Sequence, residues 1–316
     1  MACTPTGAEI KIAFEPAASP HTFDASSERY RINWETLDKK SKWIWNPVLT
    51  GDRDVNSADR RTGPSIIQGQ ISLRLRPAEL EDLAPKMLGG AASVVVSPFA
   101  GNQFDMTADV PYFGILIDRI TQSFQYTDCK VAAWEIHAQA SGLQGDNPAP
   151  VELILTILGK AVTLGTAFPN EATLPLPTGA NLAPYIFEDS ALTLFGSART
   201  KEAFILKVDN NLVPEYNGSL TPTDICPNGQ RTVQLRTRHP FVSGNLGLIG
   251  NGDTAAAGII DFTSGNLRSQ FNIPALQELD VHPNARGPQQ IKQFTDLWGA
   301  TDGVDTAVWF VNDETA

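Results

Sequence analysis

Ile67-Gln68-Gly69-Gln70-Ile71-Ser72-Leu73-Arg74-Leu75-Arg76-Pro77 sets Ile67, Gly69, Ile71, Leu73 and Leu75 at every second position, with Gln68, Gln70, Ser72, Arg74 and Arg76 between them. Successive side chains of a strand point to opposite faces, so the pattern is that of a half-buried β-strand with arginines on its wet face. A second stretch echoes it. Arg231, Val233, Leu235 and Thr237 alternate with Thr232, Gln234, Arg236 and Arg238, and the run ends at His239-Pro240. Aligning Leu73 with Leu235 separates the two strands by about half of the 316 residues, which reads as two related domains in tandem.

Composition fits that reading. Domains most often hold about 100–150 residues, so a chain of this length divides naturally into two. Hydrophobic residues make up 42% and charged residues 19%, the latter below the roughly 25% usual for soluble domains. Less surface is committed to water, as in a chain that hides surface against other subunits or in a chain of sandwiches with many Thr, Ser and Asn loops. The net charge of −11 argues against binding a nucleic-acid backbone, where lysine and arginine supply most of the affinity. Cys3, Cys129 and Cys226 are odd in number and far apart, and read as reduced thiols. Met1 to Glu15 has no basic stretch leading into an apolar one, and no run approaches a membrane span, so the expectation is a protein made in a cytosol-like compartment.

Residues 1–65 carry scattered prolines and the aromatic Trp34, Trp43 and Trp45, and read as an irregular arm docked on its own domain. Its polar loop, Thr50 to Pro64, places Asp52, Asp54 and Asn56 at calcium-loop spacing. That reading fails, because Ser57 stands where a glycine is needed and Gly63 where a glutamate is. After the organising strand, Pro77 starts a helix with Leu80, Leu83 and Met87 on one face. Pro85 limits it to about two turns or kinks it, and Gly89-Gly90 ends it. Val94 to Val96 reads as a buried strand and Gly114 to Ile120 as another; Lys130–Ala140 and Val151–Leu158 form an antiparallel hairpin. Lys201–Asp209 is a strand leading through Asn210-Asn211 to the Arg231 strand, and this pair matches either that hairpin or the Ile67 region. Phe168 to Pro184 reads as a semi-rigid linker. Strands are expected at Gly258–Thr263, Leu267–Ile273 and Thr306–Val311, and a short helix at Gln289–Leu297 from the spacing of Ile291, Phe294 and Leu297.

Catalytic patterns do not emerge. His21, His137, His239 and His282 each lack a histidine or cysteine at ligand spacing. Gly159-Lys160 lacks the rest of a phosphate loop, and Gly247, Gly250 and Gly252 are not a dinucleotide fingerprint. No catalytic residue, cofactor or metal site is assigned, and a structural or interaction protein is favoured over an enzyme.

Leu49-Thr50-Gly51-Asp52-Arg53, Ile67-Gln68-Gly69-Gln70-Ile71, Leu88-Gly89, Tyr126-Thr127-Asp128-Cys129-Lys130-Val131 and Ile157-Leu158-Gly159-Lys160 follow one another in a particular order. Ile205-Leu206-Lys207-Val208-Asp209-Asn210-Asn211-Leu212 and Asn228-Gly229-Gln230-Arg231 continue it. Over roughly residues 45–275 the chain resembles the major tail tube proteins of phages with long non-contractile tails; Gln230 departs from the pattern, where glycine running straight into arginine is expected. The resemblance implies a mainly β fold of two tandem tail-tube-type β-sandwich or barrel domains, with one or two short helices and long loops. The first domain would be 1–165 with the N-terminal arm, the second 166–316, with a linker at about 162–190.

It also implies that three chains close into a pseudo-sixfold ring and that rings stack into a hollow tail through which DNA is ejected. The implied partners are further copies of the chain, the tail tip and tail terminator proteins, and the tape measure protein and phage DNA in the lumen, without sequence-specific binding and without a membrane. The place implied is the virion tail after synthesis in the host cytoplasm. The 51–64 loop is expected to reach a neighbouring subunit or the next ring, through Arg53, Asp54, Arg60 and Arg61. Arg74, Arg76, Arg236 and Arg238 are expected at subunit contacts, with acidic side chains toward the lumen. A competing reading is a carbohydrate-binding β-sandwich, a receptor-binding or baseplate component that stacks sugars on Trp43, Trp45 or Trp134. A hydrolase with a converging pair of Asp, Glu or His is the third.

Overall fold

Alternating burial shapes nearly every element of the computed structural model, which describes residues 10–16, 21–25, 27–45, 60–95, 101–140, 149–170, 173–174, 182–242, 255–284, 292–303 and 305–313. The protein is mainly β. The first half holds β1 (Lys11–Glu15), β2 (Glu28–Tyr30), β3 (Ile32–Glu35), β4 (Asp38–Trp45), β5 (Arg60–Arg74), the helix α1 (Pro77–Leu88), β6 (Ser93–Val95), β7 (Gly101–Asp105), β8 (Phe113–Asp118), β9 (Ser123–Gln139) and β10 (Glu152–Leu164). The second holds β11 (Ser190–Leu194), β12 (Ser197–Ala198), β13 (Ala203–Asp209), β14 (Leu212–Glu215), β15 (Asp224–Pro227), β16 (Thr232–Pro240), β17 (Ala256–Ser264), β18 (Leu267–Asn284), β19 (Lys292–Ala300) and β20 (Trp309–Asp313). The organising stretch lies in β5, where Ile67, Ile71 and Leu73 are buried and Gln68, Gln70 and Arg74 are exposed. In β16 Val233, Leu235, Thr237 and His239 are buried in the same rhythm.

One antiparallel succession, β4–β5–β10–β9–β13–β16–β19–β18, runs through both halves. The two long strands β9 and β18 bend out of it and join a second layer. There β9 continues into β8, β1 and β2, and β18 into β17, β11 and β12. The ladders therefore recur. β1–β2, β1–β8, β8–β9, β9–β10, β10–β5 and β5–β4 have counterparts in β11–β12, β11–β17, β17–β18, β18–β19, β19–β16 and β16–β13.

Even the irregularities coincide. The β8–β9 register shifts between Phe113 and Ile115, and the β17–β18 register between Ala256 and Gly258. The β9–β10 register shifts between Thr156 and Ile157, and the β18–β19 register between Glu278 and Asp280, which face Leu297 and Asp296. A bulge adds a residue to one strand and bends it, so these shifts mark where each long strand passes between layers. Matching them pairs Ile67 with Val233, Gly159 with Gly299 and Lys39 with Val208. Gly69, rather than Leu73, is thus the counterpart of Leu235. The slip between the two alignments is even, so every side chain stays on its face. The same matching identifies β13–β16 with β4–β5 and not with the β9–β10 hairpin.

One large apolar cluster spans both halves. Trp134 of β9 is wholly buried with its ring 5.9 Å from that of Phe271 in β18, and Phe271 lies 4.7 Å from Phe310 in β20. Phe310 in turn stacks at 6.0 Å on Phe104 of β7, whose strand pairs with β20. The helix α1 packs against β7, β9, β18 and β20. Asn210 ties its end down, donating through Nδ2 to the Met87 and Val131 carbonyls at 3.3 and 2.9 Å.

Several expectations are corrected. The N-terminal region is not irregular: it supplies β1 to β4, with Ile12, Ala13 and Phe14 buried along β8. The helix runs its full 12 residues through Pro85. Burial of Leu83, Ala84, Met87 and Leu88 and the bond from the Gly89 N–H to the Pro85 carbonyl, 2.8 Å, hold the last turn together. Val94 is 82% exposed: among the described residues β6 pairs with β7 alone. The stretch expected as a helix at Gln289–Leu297 is β19 from Lys292 onward, with Gln293, Thr295 and Leu297 buried and Phe294 and Trp298 facing out. Pairing on both sides, by β16 and β18, overrides the three-residue spacing. Trp134, being in the core, is closed to any sugar. Of the expected linker, Tyr185 is fixed against the first half, between the end of β5 and the start of β10, its N–H donating to the Leu75 carbonyl and its carbonyl accepting from the Val151 N–H, at 2.9 and 2.8 Å. Cys3, the calcium-like triplet, the 247–252 glycines and the side chains of Trp43, Trp45 and His282 lie outside the described residues.

Because Trp134 and Phe271 share one core, Trp134→Ala is expected to cost about 3–5 kcal/mol and to lower the melting of both halves together. Calorimetry checks this; separate transitions, with only one moved, would contradict the shared core.

Candidate assembly interface

A strand edge presents unpaired N–H and C=O groups, so the ends of the long succession are the places where another chain can add. Among the described residues, Asp38 to Lys40 of β4 pair with β5 on one side alone, and Asp280 to Asn284 of β18 with β19 alone. The Lys39 N–H turns to the Asp38 carboxylate at 2.7 Å. The Asp38 and Lys40 side chains are 65% and 60% exposed and stand 3.6 Å apart.

Inside the chain the equivalent edge is already covered. β9 pairs with β10 on one side and, from Ala133 to Gln139, with β13 on the other. Across that junction Lys207 Nζ lies 2.8 Å from Glu135 Oε1, and His137 Nε2 lies 2.9 Å from Glu135 Oε2. The hydrogen bond from His137, with Lys207 next, holds the Glu135 carboxyl at about 2, well below its usual range. Glu135 and Lys207 belong to the outer face of the sheet, with Gln68, Gln70, Glu152 and Gln234. There Trp34 donates to Glu152 at 3.3 Å, and Arg236 Nε stands 3.4 Å from Asp296. This face pairs several of its charges.

The arginines expected at contacts take different places. Arg53 and Asp54 lie outside the described residues, as does the side chain of Arg60, whose backbone opens β5. Arg61 and Arg74 are exposed. Arg76 is buried and committed within the chain: Nε donates to the Leu182 carbonyl at 3.0 Å, and Nη1 to Glu79 at 3.1 and 3.2 Å. Arg238 Nε is 3.1 Å from Glu202. β5 and β16 are interior strands, so Arg74, Arg236 and Arg238 belong to the face of the sheet and not to its open edges. Sequence reasoning passed over Asp38, Lys40 and Asp280. Their signal was present only in the repeat, once aligned on its bulges.

His21 is buried and accepts at Nε2 from the Asp128 N–H, 3.0 Å. His239 is buried between Thr237 and the Thr200 carbonyl, and burial lowers its pKa. Among the described residues, no cluster of His, Cys, Asp and Glu could hold a metal ion, and no helix is long and apolar enough to cross a membrane.

The sequence profile of a family described as phage tail tube protein matches residues 7–296. No curated protein matches the chain.

Glu135 has a lowered pKa in the folded state, so its contribution to stability is complete above the ordinary glutamate range and is lost as pH falls toward about 2. Denaturant unfolding at stepped pH is expected to show wild type losing stability more steeply below about pH 4.5 than Glu135→Gln. Equal slopes would remove the assigned role.

Proposed function

The chain belongs to the phage tail tube protein family, and on that premise we propose that it is a structural protein of the virion tail whose copies join edge to edge, β4 of one against β18 of the next. The observation that carries this reading is the β9–β13 ladder. It is a finished example of the junction that the two outer edges lack, and the repeat supplies the register. Transferred to the counterparts, Asp209 opposite Ala133 becomes Lys40 opposite Asp280, and Lys207 opposite Glu135 becomes Asp38 opposite His282. The first pairing is charge-complementary, and the second sets a carboxylate opposite an imidazole that can donate a hydrogen bond to it.

A contact between unlike edges of identical chains makes a ring if the rotation closes. Residues 1–165 and 166–316 act as two tube domains, so three chains give six similar sectors, and stacked rings form the conduit for DNA ejection. The outer face of the long sheet lines the lumen. Its charges neutralise one another, as in Glu135 with Lys207 and Arg236 with Asp296, which leaves few free cations to hold a phosphate backbone. Arg61 and Arg74 remain available for contacts at the rims. The tail tip and terminator proteins meet the ends of such a tube and the tape measure protein fills it during assembly. The role is structural, without catalysis or cofactor.

Electron microscopy of concentrated protein is expected to show hollow tubes or stacked rings. Lys40→Glu and Asp280→Lys should each raise the assembly threshold several-fold, since like charges directly opposite destabilise a strand pair. The double swap should restore it. Swaps without effect alone or together, or a failure of the double variant to recover, would show that the edges do not meet in this register.

A further inference from the structure

Between β13 and β16 the chain leaves the long sheet as the hairpin β14–β15 and folds back over the first half. Leu212 and Ile225 close a small apolar cluster with Val110, Ala132 and Leu158. Ser65 N–H donates to the Leu220 carbonyl at 2.8 Å, Lys130 Nζ donates to the Ile225 carbonyl at 2.9 Å, and the Tyr112 hydroxyl bonds Asp224. Under this cover Leu158 keeps only 8% of its surface.

In the second half the described residues leave the corresponding place open. Trp298 is the counterpart of Leu158, and 45% of it is exposed. Beside it an open groove of about 740 Å³ is lined by Gln230, Arg231, Trp298, Gly299, Ala300 and Thr301, with Met106 and Ala108 across. Arg231 is the counterpart of Ser65, and its Nη2 is buried without a hydrogen-bond partner. A buried donor left unpaired is costly, which marks the groove as built to receive an acceptor. The counterpart of the β14–β15 hairpin is the outer part of the β4–β5 ladder, Trp43 opposite Thr62 and Trp45 opposite Arg60, and it lies at the opposite edge of the chain.

We infer that the face around Trp298 seats the β4–β5 hairpin of a second copy of this chain. The inference rests on the edge-to-edge reading above. With β4 laid along a neighbour's β18, its continuation passes over Trp298 as the continuation of β13 passes over Leu158. Trp43 follows Lys40 at the spacing at which Leu212 follows Asp209, so position 43 of the incoming strand falls beside Trp298 as Leu212 falls beside Leu158. A carbonyl of the incoming hairpin satisfies Arg231, as the Leu220 carbonyl satisfies Ser65. The seam between chains then consists of two parts: a strand ladder for direction and an aromatic clasp for hold.

The test places the photo-crosslinking residue p-benzoyl-phenylalanine at position 298 and co-assembles a small fraction of that chain with isotopically labelled wild type. After irradiation, peptide mass spectrometry should find adducts between position 298 of an unlabelled chain and residues 41–63 of a labelled one. Trp298→Ala should raise the assembly threshold about tenfold while leaving the unfolding transition of the unassembled chain in place, as expected of a residue half exposed before assembly. Tubes that form without the 298-to-hairpin adduct, or with adducts elsewhere only, overturn the inference and leave the edge-to-edge reading standing. A wild-type chain that never assembles overturns both.

Discussion

The β9–β13 ladder is the pairing on which the rest depends. Each half of the long sheet ends in an open strand edge, and an extended edge must find a partner or stay hydrated. By satisfying one such edge within the chain, the ladder fixes how the halves meet, sets Trp134 against Phe271, and defines β4 and β18 as the two ends that remain. Each hydrogen bond of a ladder contributes only about 0.5–1.5 kcal/mol net. The shared aromatic core supplies the remaining hold, and the pairing of β20 with β7 closes it from the other layer.

The bends of β9 and β18 are built in the same way twice. In each half a bulge sits beside a glycine that lets a neighbouring side chain come close. A Cβ on Gly159 would stand 2.8 Å from Cys129 Sγ and 3.2 Å from Ile67, and one on Gly299 would stand 2.7 Å from both Ile273 and Val233. The side chains that crowd these glycines, Ile67 and Val233, are themselves counterparts. Bulge, glycine and branched neighbour form one unit, and moving any member would force the strand to leave its layer elsewhere. Burial also raises the Cys129 thiol pKa strongly, so this cysteine packs as a small apolar group and not as a nucleophile.

Alternation made β5, β16, β13 and the β9–β10 hairpin legible, because each buries one face and wets the other. β19 was misread because Phe294 and Leu297 lie at helical spacing while pointing to opposite faces of a strand. Their true period appears only when the buried polar Gln293 and Thr295 are counted with the core. The repeat was visible in the arginine-bearing strands, but its register was not. Loops of unequal length separate the copies, and the bulges that fix the alignment are features of pairing, not of composition. The open edges escaped for the same reason. Asp38, Lys40 and Asp280 look like ordinary surface charges until the ladder opposite their counterparts is seen. Arg76, expected on the surface, is consumed by Glu79 and a carbonyl, since its strand ends where the chain turns inward to begin α1.

The tandem repeat also changes the arithmetic of association. A junction between segments of one chain forms at an effective concentration set by the tether, on the order of millimolar for short flexible connections, whereas its counterpart between chains depends on how much protein is present. If such chains close into a ring as proposed, permanent seams would alternate with dilutable ones. Growth and loss would then proceed by whole chains, and circumferential strain would be relieved at every second seam, so that the mechanical symmetry of the wall would be half its apparent architectural symmetry.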